Sequence, residues 1–505
     1  MGNPLYDAFF GKHASKETPF LHLPDGQTVT HAAFLAQAAQ FANVLNDAGL
    51  VPGDRVAAQV HKSTEALALY AACVQAGVIF LPLNTAYTAD ELSYFINDSR
   101  ARAMVCDGAA VETVRQITSP LGAALYSLNA DGSGTLPDAA SRKPEAYKTV
   151  DRQYDDLAAF LYTSGTTGRS KGAMLTQANL ISNAETLTDY WQFTASDALL
   201  HALPIFHTHG LFVATNITLM AGGTMIFLPK FDLDQVIAFL SRATTLMGVP
   251  TFYTRLLSDA RLDRALVDHM RLFVCGSAPL LAETHADFEA RTGHRILERY
   301  GMTETNMNTS NPYAGDRRAG TVGQALPGVE VIVTDPETGA PLPHGEVGQI
   351  EVRGPNVFKG YWQMPEKTAA ELRANGFFIT GDLGTIDADG YVTIVGRGKD
   401  LIISGGYNIY PKEIELVLDA QPGVLESAVI GVPHPDFGET AVGLLVAAAD
   451  GEPDLDQVRA ATELTLARFK HPRKLIVVDM LPRNTMGKVQ KNVLRAAYKY
   501  VFAAD

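Results

Sequence analysis

The rhythm of hydrophobic and polar positions changes three times along the 505-residue chain. Between residues 55 and 106, the apolar runs RVAAQV, VIFL and ARAMVC alternate with helical patterns over 64–76 and from about 89. That is the cadence of βαβ units and predicts a parallel sheet. The start of the second helix is marked, because Thr88 and Glu91 have capping-box spacing and Leu92, Phe95 and Ile96 recur at helical intervals. The alternation resumes in LLHALPI, TMIFLP, TLMGV and RLFVCG, carrying an α/β body to about residue 330. From 321 to 396, short β-like runs (VEVIVTD, GQIEVRG, YVTIVG) are separated by Gly, Pro and Asp-Gly turns, which predicts a smaller β-rich subdomain. The segment GRGKDLIISGG then crowds glycines at 396, 398, 405 and 406 around charged residues and predicts a hinge. Beyond it, KEIELVLDAQPGV, ESAVIGV, GLLVAA, a helical pattern over 455–469 and KLIVVD predict a compact α+β domain.

Composition narrows the function classes. A net charge of -14 with no long basic run argues against a nucleic-acid partner, and it means that any site for a polyanion must supply its own cations, metal or N–H donors. The most membrane-like stretch, Ala66 to Leu83, is broken by Gln75, Gly77 and Pro82, so it reads as a buried helix and a strand, with no membrane span expected. Cys73, Cys106 and Cys275 are isolated, which fits a reducing compartment and no structural zinc. The N-terminus lacks a secretory pattern, Tyr6 spoils the myristoylation motif that Gly2 begins, and FAAD is not a peroxisomal address, so the expected location is cytoplasmic.

The densest chemistry lies in YTSGTTGRSKG, Tyr162 to Gly172, directly after the apolar run LAAFL. Glycines let backbone N–H groups turn toward an anion, Ser164, Thr166 and Thr167 add hydroxyls, and Lys171 adds charge, a composition suited to phosphate. Taken alone it also describes a flexible loop, and it lacks Walker A spacing, since Gly165 and Gly168 are too close together.

Four further motifs follow in order: YGMTET at 300–305, TGDLG at 380–384, GRGKDLIISGGYNIYPKEIE at 396–415 and NTMGK at 484–488. Together they resemble the acyl-adenylate-forming superfamily of acyl-CoA synthetases, luciferases and peptide-synthetase adenylation domains, over nearly the whole chain. The resemblance implies an α/β fold with a large N-terminal domain (1–397) of βαβ subdomains plus the β-rich subdomain, a hinge at 398–400, and a small mobile α+β C-terminal domain (401–505). It implies ATP and CoA as co-substrates, Mg²⁺ as cofactor, and adenylation of a carboxylic acid followed by transfer to a thiol.

The same resemblance assigns roles residue by residue. Lys488 is the catalytic lysine bridging the carboxylate and the α-phosphate, Glu304 supports Mg²⁺, and Thr303 offers its hydroxyl to the α-phosphate. Thr163, Ser164, Gly165, Thr166, Thr167, Gly168 and Lys171 form the phosphate loop. Gly276, Ser277, Ala278 and Pro279, with Arg299, Tyr300 and Gly301, wall the adenine, and Asp382 and Arg397 take the ribose hydroxyls. Lys399 marks the hinge, and Gly405 and Gly406 line the path of the CoA arm. The chemistry requires such groups, because two anions must meet and charge grows on the phosphoryl oxygens.

The acid is addressed by ALPIFHTHGL (202–211) and GVPTFYTRLL (248–257). A helix beginning near Pro250 places Arg255 where the family builds its acyl pocket, and a buried guanidinium there suits a second carboxylate on the substrate. On spacing alone, Arg255 equally fits the solvated side of an amphipathic helix. HALPIFHTHGLFVATN, GVPTFYTRLL, YGMTETNMNTSNPY and LPRNTMGKVQKNVLR resemble malonyl-CoA synthetases, which implies that Arg255 holds the distal carboxylate and His207 borders the acyl pocket. The expected substrate is malonate, with methylmalonate unresolved, and no obligate protein partner is evident. Three alternatives stay open: a synthetase for another short or medium acid, a stand-alone adenylation enzyme loading a carrier protein, and a non-catalytic nucleotide sensor.

Overall fold

The computed structural model describes residues 2–163, 170–404, 407–434, 437–449, 451–466, 468–484 and 487–502. Packing divides the chain into two units, Met1–Glu330 with Val352–Phe378, and Val331–Glu351 with Ile379–Asp505.

The first unit is built on two sheets. The βαβ rhythm of residues 55–106 gives a six-stranded sheet in the order Ala124–Ser127, Ala103–Cys106, Arg55–Gln59, Ile79–Pro82, Leu157–Thr163, Lys171–Thr176. Its neighbours run parallel except the last pair, two antiparallel strands that flank the phosphate-loop motif in sequence. The second sheet has nine strands, with Leu297–Met302, Leu272–Cys275, Thr245–Gly248, Ala198–His201, Thr224–Phe227 and Pro19–His22 parallel in its centre. Parallel strands covered on both faces must be apolar throughout, which is why Ala103–Cys106, Thr245–Gly248 and Leu272–Cys275 are buried at every position.

The first part of the most membrane-like stretch belongs to the helix Thr64–Ala76, buried at every position but Glu65. Ser63 caps its first turn through Ala66 N, and Gly77, at φ 70°, ends it before the strand Ile79–Pro82. Among the described residues no helix is long and apolar enough to cross a membrane. The helix Ala89–Ser99 carries the expected capping box, with Thr88 and Glu91 satisfying one another's backbone N–H groups.

In the second unit the β-rich segment forms a four-stranded sheet from Glu330–Thr334, Gly348–Arg353, Phe378–Ile386 and Val392–Arg397. The C-terminal segment forms another, ordered Tyr407–Ile409, Ile402–Ser404, Gly438–Ala447, Val424–His434, with Lys474–Val478 parallel to Gly438–Ala447. The helical pattern over 455–469 is realised as Leu455–Thr465 and a 3₁₀ turn at Arg468–Lys470. The helix Pro411–Asp419 buries Ile414 and Leu418 in the core of that sheet. Gly398–Asp400 is a single 3₁₀ turn, and Asp400 pairs with Arg495 of the terminal helix at 2.8 Å.

Candidate active site

The phosphate loop spans a hairpin: Thr163 ends one strand, and Lys171, its cross-strand partner, begins the next. Ser164, Gly165, Thr166, Thr167 and Gly168 lie outside the described residues, as do Gly405 and Gly406. Thr163 Oγ1 donates to Glu304 Oε1 at 3.3 Å. Glu304 and Thr303 sit on the turn joining the antiparallel strands Leu297–Met302 and Asn306–Ser310. Gly301 lets this hairpin close, since a Cβ there would lie 1.8 Å from Asn306 O.

Two residues unnoticed in the sequence complete this corner. Tyr361 Oη lies 3.1 Å from Glu304 Oε1 and 2.7 Å from Glu371 Oε2, and a phenol has one proton, so it can donate to only one carboxylate at a time. Glu371 also pairs with Lys171 at 3.2 Å and Lys367 at 2.6 Å, while the Lys171 ammonium sits 4.0 Å over the Tyr361 ring. Burial alone would raise the Glu371 carboxyl, but Lys367, Tyr361 and Lys171 bring it below its usual range. Burial, then the charges of Glu304 and Glu371, push the Tyr361 phenol upward, keeping it a donor. The Gly-Tyr-Trp run at 360–362, two aromatics after a glycine, is a local signal that could have drawn attention to Tyr361.

A second cluster surrounds Arg299. Its side chain is 3% exposed, yet Nε and Nη2 have no hydrogen-bond partner, and burial lowers the guanidinium to about 10. It lies flat against the GSAP turn, where a Cβ on Gly276 would fall 2.3 Å from Nη1. The next residue, Ser277, takes φ 73°, uncommon for a non-glycine, and its Oγ meets His209 Nδ1 at 3.2 Å. His209 Nε2 is buried without a partner, and burial, then Arg299, holds its ring neutral. Ala278 is half-buried and Pro279 exposed, and Tyr300 beside Arg299 is half-buried.

His207 and Thr303 line one cavity, with Pro82, Leu83, Asn84, Tyr87 and Phe206. Ile79–Pro82, Ala198–His201 and Leu297–Met302 all end close by in sequence, so this is the carboxyl-end crevice where open α/β sheets bind ligands. Arg255 differs from the expectation of a buried cation: it is exposed on the helix Pro250–Leu257, its guanidinium 5.8 Å over Phe231, which stacks on Phe252 at 4.2 Å.

The remaining residues belong to the second unit. Asp382 and Arg397 face each other across a hairpin, with Arg397 Nε 2.7 Å from Asp382 Oδ1 and Nη1 donating to Thr380 O. Lys399 is exposed in the 3₁₀ turn. Lys488 is exposed and bonded through its backbone to Asn484, whose N–H donates to Lys488 O and whose Oδ1 accepts from Lys488 N.

This arrangement has close counterparts. The chain is 34% identical over 480 residues to the malonate–CoA ligase of Arabidopsis thaliana, covering 88% of this chain and 78% of that one. It is 37% identical over 481 residues to a feruloyl-CoA synthase of an Amycolatopsis species, covering 94% of both. The crystal structure of ATP-bound MatB from Rhodopseudomonas palustris superposes with a TM-score of 0.97 at 59% identity, over 99% of this chain and 100% of that one. Residues 11–362 match the model for AMP-binding enzymes and residues 413–488 the model for the AMP-binding enzyme C-terminal domain, so the chain belongs to the AMP-binding enzyme family.

Proposed function

We propose that this enzyme is an AMP-forming acid–thiol ligase that joins malonate to coenzyme A. ATP and CoA are its co-substrates. The malonate carboxylate attacks the α-phosphate, releasing diphosphate and leaving malonyl-adenylate; the CoA thiol then attacks the acyl carbonyl, releasing AMP. The observation that carries this reading is the 59% identity to ATP-bound MatB over 99% of the chain, together with the likeness to a malonate–CoA ligase.

In the adenylation step two anions must approach one another, which requires fixed cations and donors. Lys488 supplies the ammonium, Lys171 and the phosphate-loop hydroxyls hold the β- and γ-phosphates, and Asp382 accepts the ribose hydroxyls with Arg397 orienting it. Lys488 must then give way to the thiol, which is the reason for a hinge at Lys399 between residues 1–397 and 401–505. Glu304 suits Mg²⁺, an ion content with one carboxylate plus phosphate oxygens and water, and Thr163 and Tyr361, both bonded to Glu304 Oε1, would orient that carboxylate toward the ion. When bound, the ion would neutralise charge on the phosphates.

The buried, incompletely bonded guanidinium of Arg299 supports assigning it to the distal carboxylate of malonate, because a neutral adenine would leave its charge unanswered. Arg255 is then a second, outer cation for the same group, and His207 and His209 border the acyl chain. A feruloyl-specific pocket would have no use for that charge.

Initial rates with malonate, methylmalonate, succinate, acetate, ferulate and a long-chain acid, with ATP, Mg²⁺ and CoA, test the reading. Malonate is expected to give the highest kcat/KM, and ferulate or a fatty acid ranking first would overturn it. Following hydroxamate formation alongside CoA consumption separates a CoA ligase from an enzyme that only adenylates.

A further inference from the structure

Lys62 lies on the turn between the strand Arg55–Gln59 and the helix Thr64–Ala76, with no part in the chemistry above. Its ammonium donates to His201 Nδ1 and to His201 O, each at 2.8 Å, and rests 4.3 Å above the centre of the Phe227 ring. Those three contacts use its three N–H groups, and no carboxylate pairs with it among the described residues. Burial pulls its proton affinity well below that of a free lysine. Lys62 is half-buried, and an ammonium even partly desolvated without a counter-ion is costly, whereas a methionine of similar length would fill the space without that cost, so the position calls for a reason beyond packing.

The reason lies in what His201 does next. It is fully buried, and its Nε2 lies 2.9 Å from Gly210 O. A carbonyl only accepts and an ammonium only donates, so the ring is neutral with its proton on Nε2. His201 thereby bridges the two ends of the 201–210 segment. That segment is already tight: a Cβ on Gly210 would fall 2.0 Å from Pro204 O, and the chain continues as a π-helix, His209–Thr215, a form found often at functional sites. His207 and His209 lie between the two anchor points.

We propose that Lys62 is a positioning residue for acid binding: by holding His201 in one tautomer it ties the six-stranded sheet to the end of the strand Ala198–His201 and sets the placement of His207 and His209. The proposal rests on the reading of those residues as bordering the acid.

Kinetics of Lys62→Met, measured with whichever acid gives the highest wild-type kcat/KM, test it, so that an error in the identity of the acid leaves this test standing. The KM for the acid is expected to rise about tenfold while the KM for ATP stays within about twofold, and Lys62→Arg, which keeps a donor to His201 O, should recover part of the loss. Equal rises for acid and ATP, or no rise for the acid, overturn the proposal. Nitrogen NMR of the histidine-labelled wild-type protein needs no variant to fold except for assignment, made from the signal missing in His201→Gln. His201 is expected with a bare Nδ1, a protonated Nε2 and no titration between about pH 6 and 8. A ring protonated on Nδ1, or one that titrates in that range, overturns the proposal independently of any rate.

Discussion

The Glu371 carboxylate sits beside two ammonium groups, whereas among the described residues no carboxylate answers the Arg299 cation. In the first corner Lys171 and Lys367 face Glu371, and Tyr361 links that carboxylate to Glu304. In the second, a buried guanidinium with two unbonded nitrogens lies near the neutral ring of His209, and among the described residues the ammonium of Lys62 contacts a ring nitrogen, a carbonyl and an aromatic face. The difference teaches what each corner must do when substrates arrive. Under the proposed roles, the balanced corner would exchange partners, Lys171 trading Glu371 for phosphate, while the unbalanced one would gain its missing anion outright. A site complementary to a dianionic acid is expected to be left positive in this way, since the substrate completes it.

The largest expected effect lies in neither corner and fixes the baseline for both. Lys488→Ala should abolish adenylation while leaving thioester formation from supplied malonyl-adenylate largely intact, measured as separate half-reactions, because only the first step needs that ammonium. Equal loss in both would reassign it to structure.

Next comes the unbalanced corner. Arg299→Met should lower kcat/KM for malonate by roughly 2–5 kcal/mol in barrier terms, as for other truncated buried charge pairs, and affect acetate much less. Arg255→Ala should cost malonate about 1 kcal/mol or less, because its guanidinium is exposed and screened. If Arg255 proves the larger effect with malonate, the distal carboxylate binds at the outer cation and the comparison inverts.

The balanced corner should respond to metal instead of acid. Tyr361→Phe removes the donor shared by Glu304 and Glu371, and is expected to raise the Mg²⁺ concentration for half-saturation about tenfold, with the KM for malonate unchanged. Manganese binding in the presence of ATP, followed by electron paramagnetic resonance, checks the same loss without turnover.

The smallest effect is on stability. The folded Glu371 carboxyl lies below its usual 4.5, so its contribution is present above that value and lost as pH falls through the lowered one. The stability difference between the wild type and Glu371→Gln, read from their Tm values, should therefore be present at neutral pH, at about 1 kcal/mol or less, and close as pH falls through the lowered value. A gap that widens in acid would mean that Glu371 is protonated in the fold.

Much of this was legible before any fold was known. The capping box at Thr88 and Glu91, the buried helix 64–76 and the apolar strands appeared where the pattern placed them, because each depends on neighbours within a few residues. Thr163 and Glu304, named from separate motifs, meet at 3.3 Å, and Asp382 and Arg397 pair across one hairpin. Arg255 shows the limit of spacing, since helical periodicity admitted both a buried and an exposed cation, and the fold chose the exposed one.

Local sequence determined the order of strands and helices, the motifs of adenylate chemistry and the family, all carried by short-range pattern. Only the tertiary structure decided which charges are answered. Lys171 and Glu371 are 200 residues apart, and Lys62 and His201 are 139 apart. Nothing in either neighbourhood signals the other, because a buried charge is defined by the sum of its surroundings, and that sum exists only once the sheets have brought distant segments together.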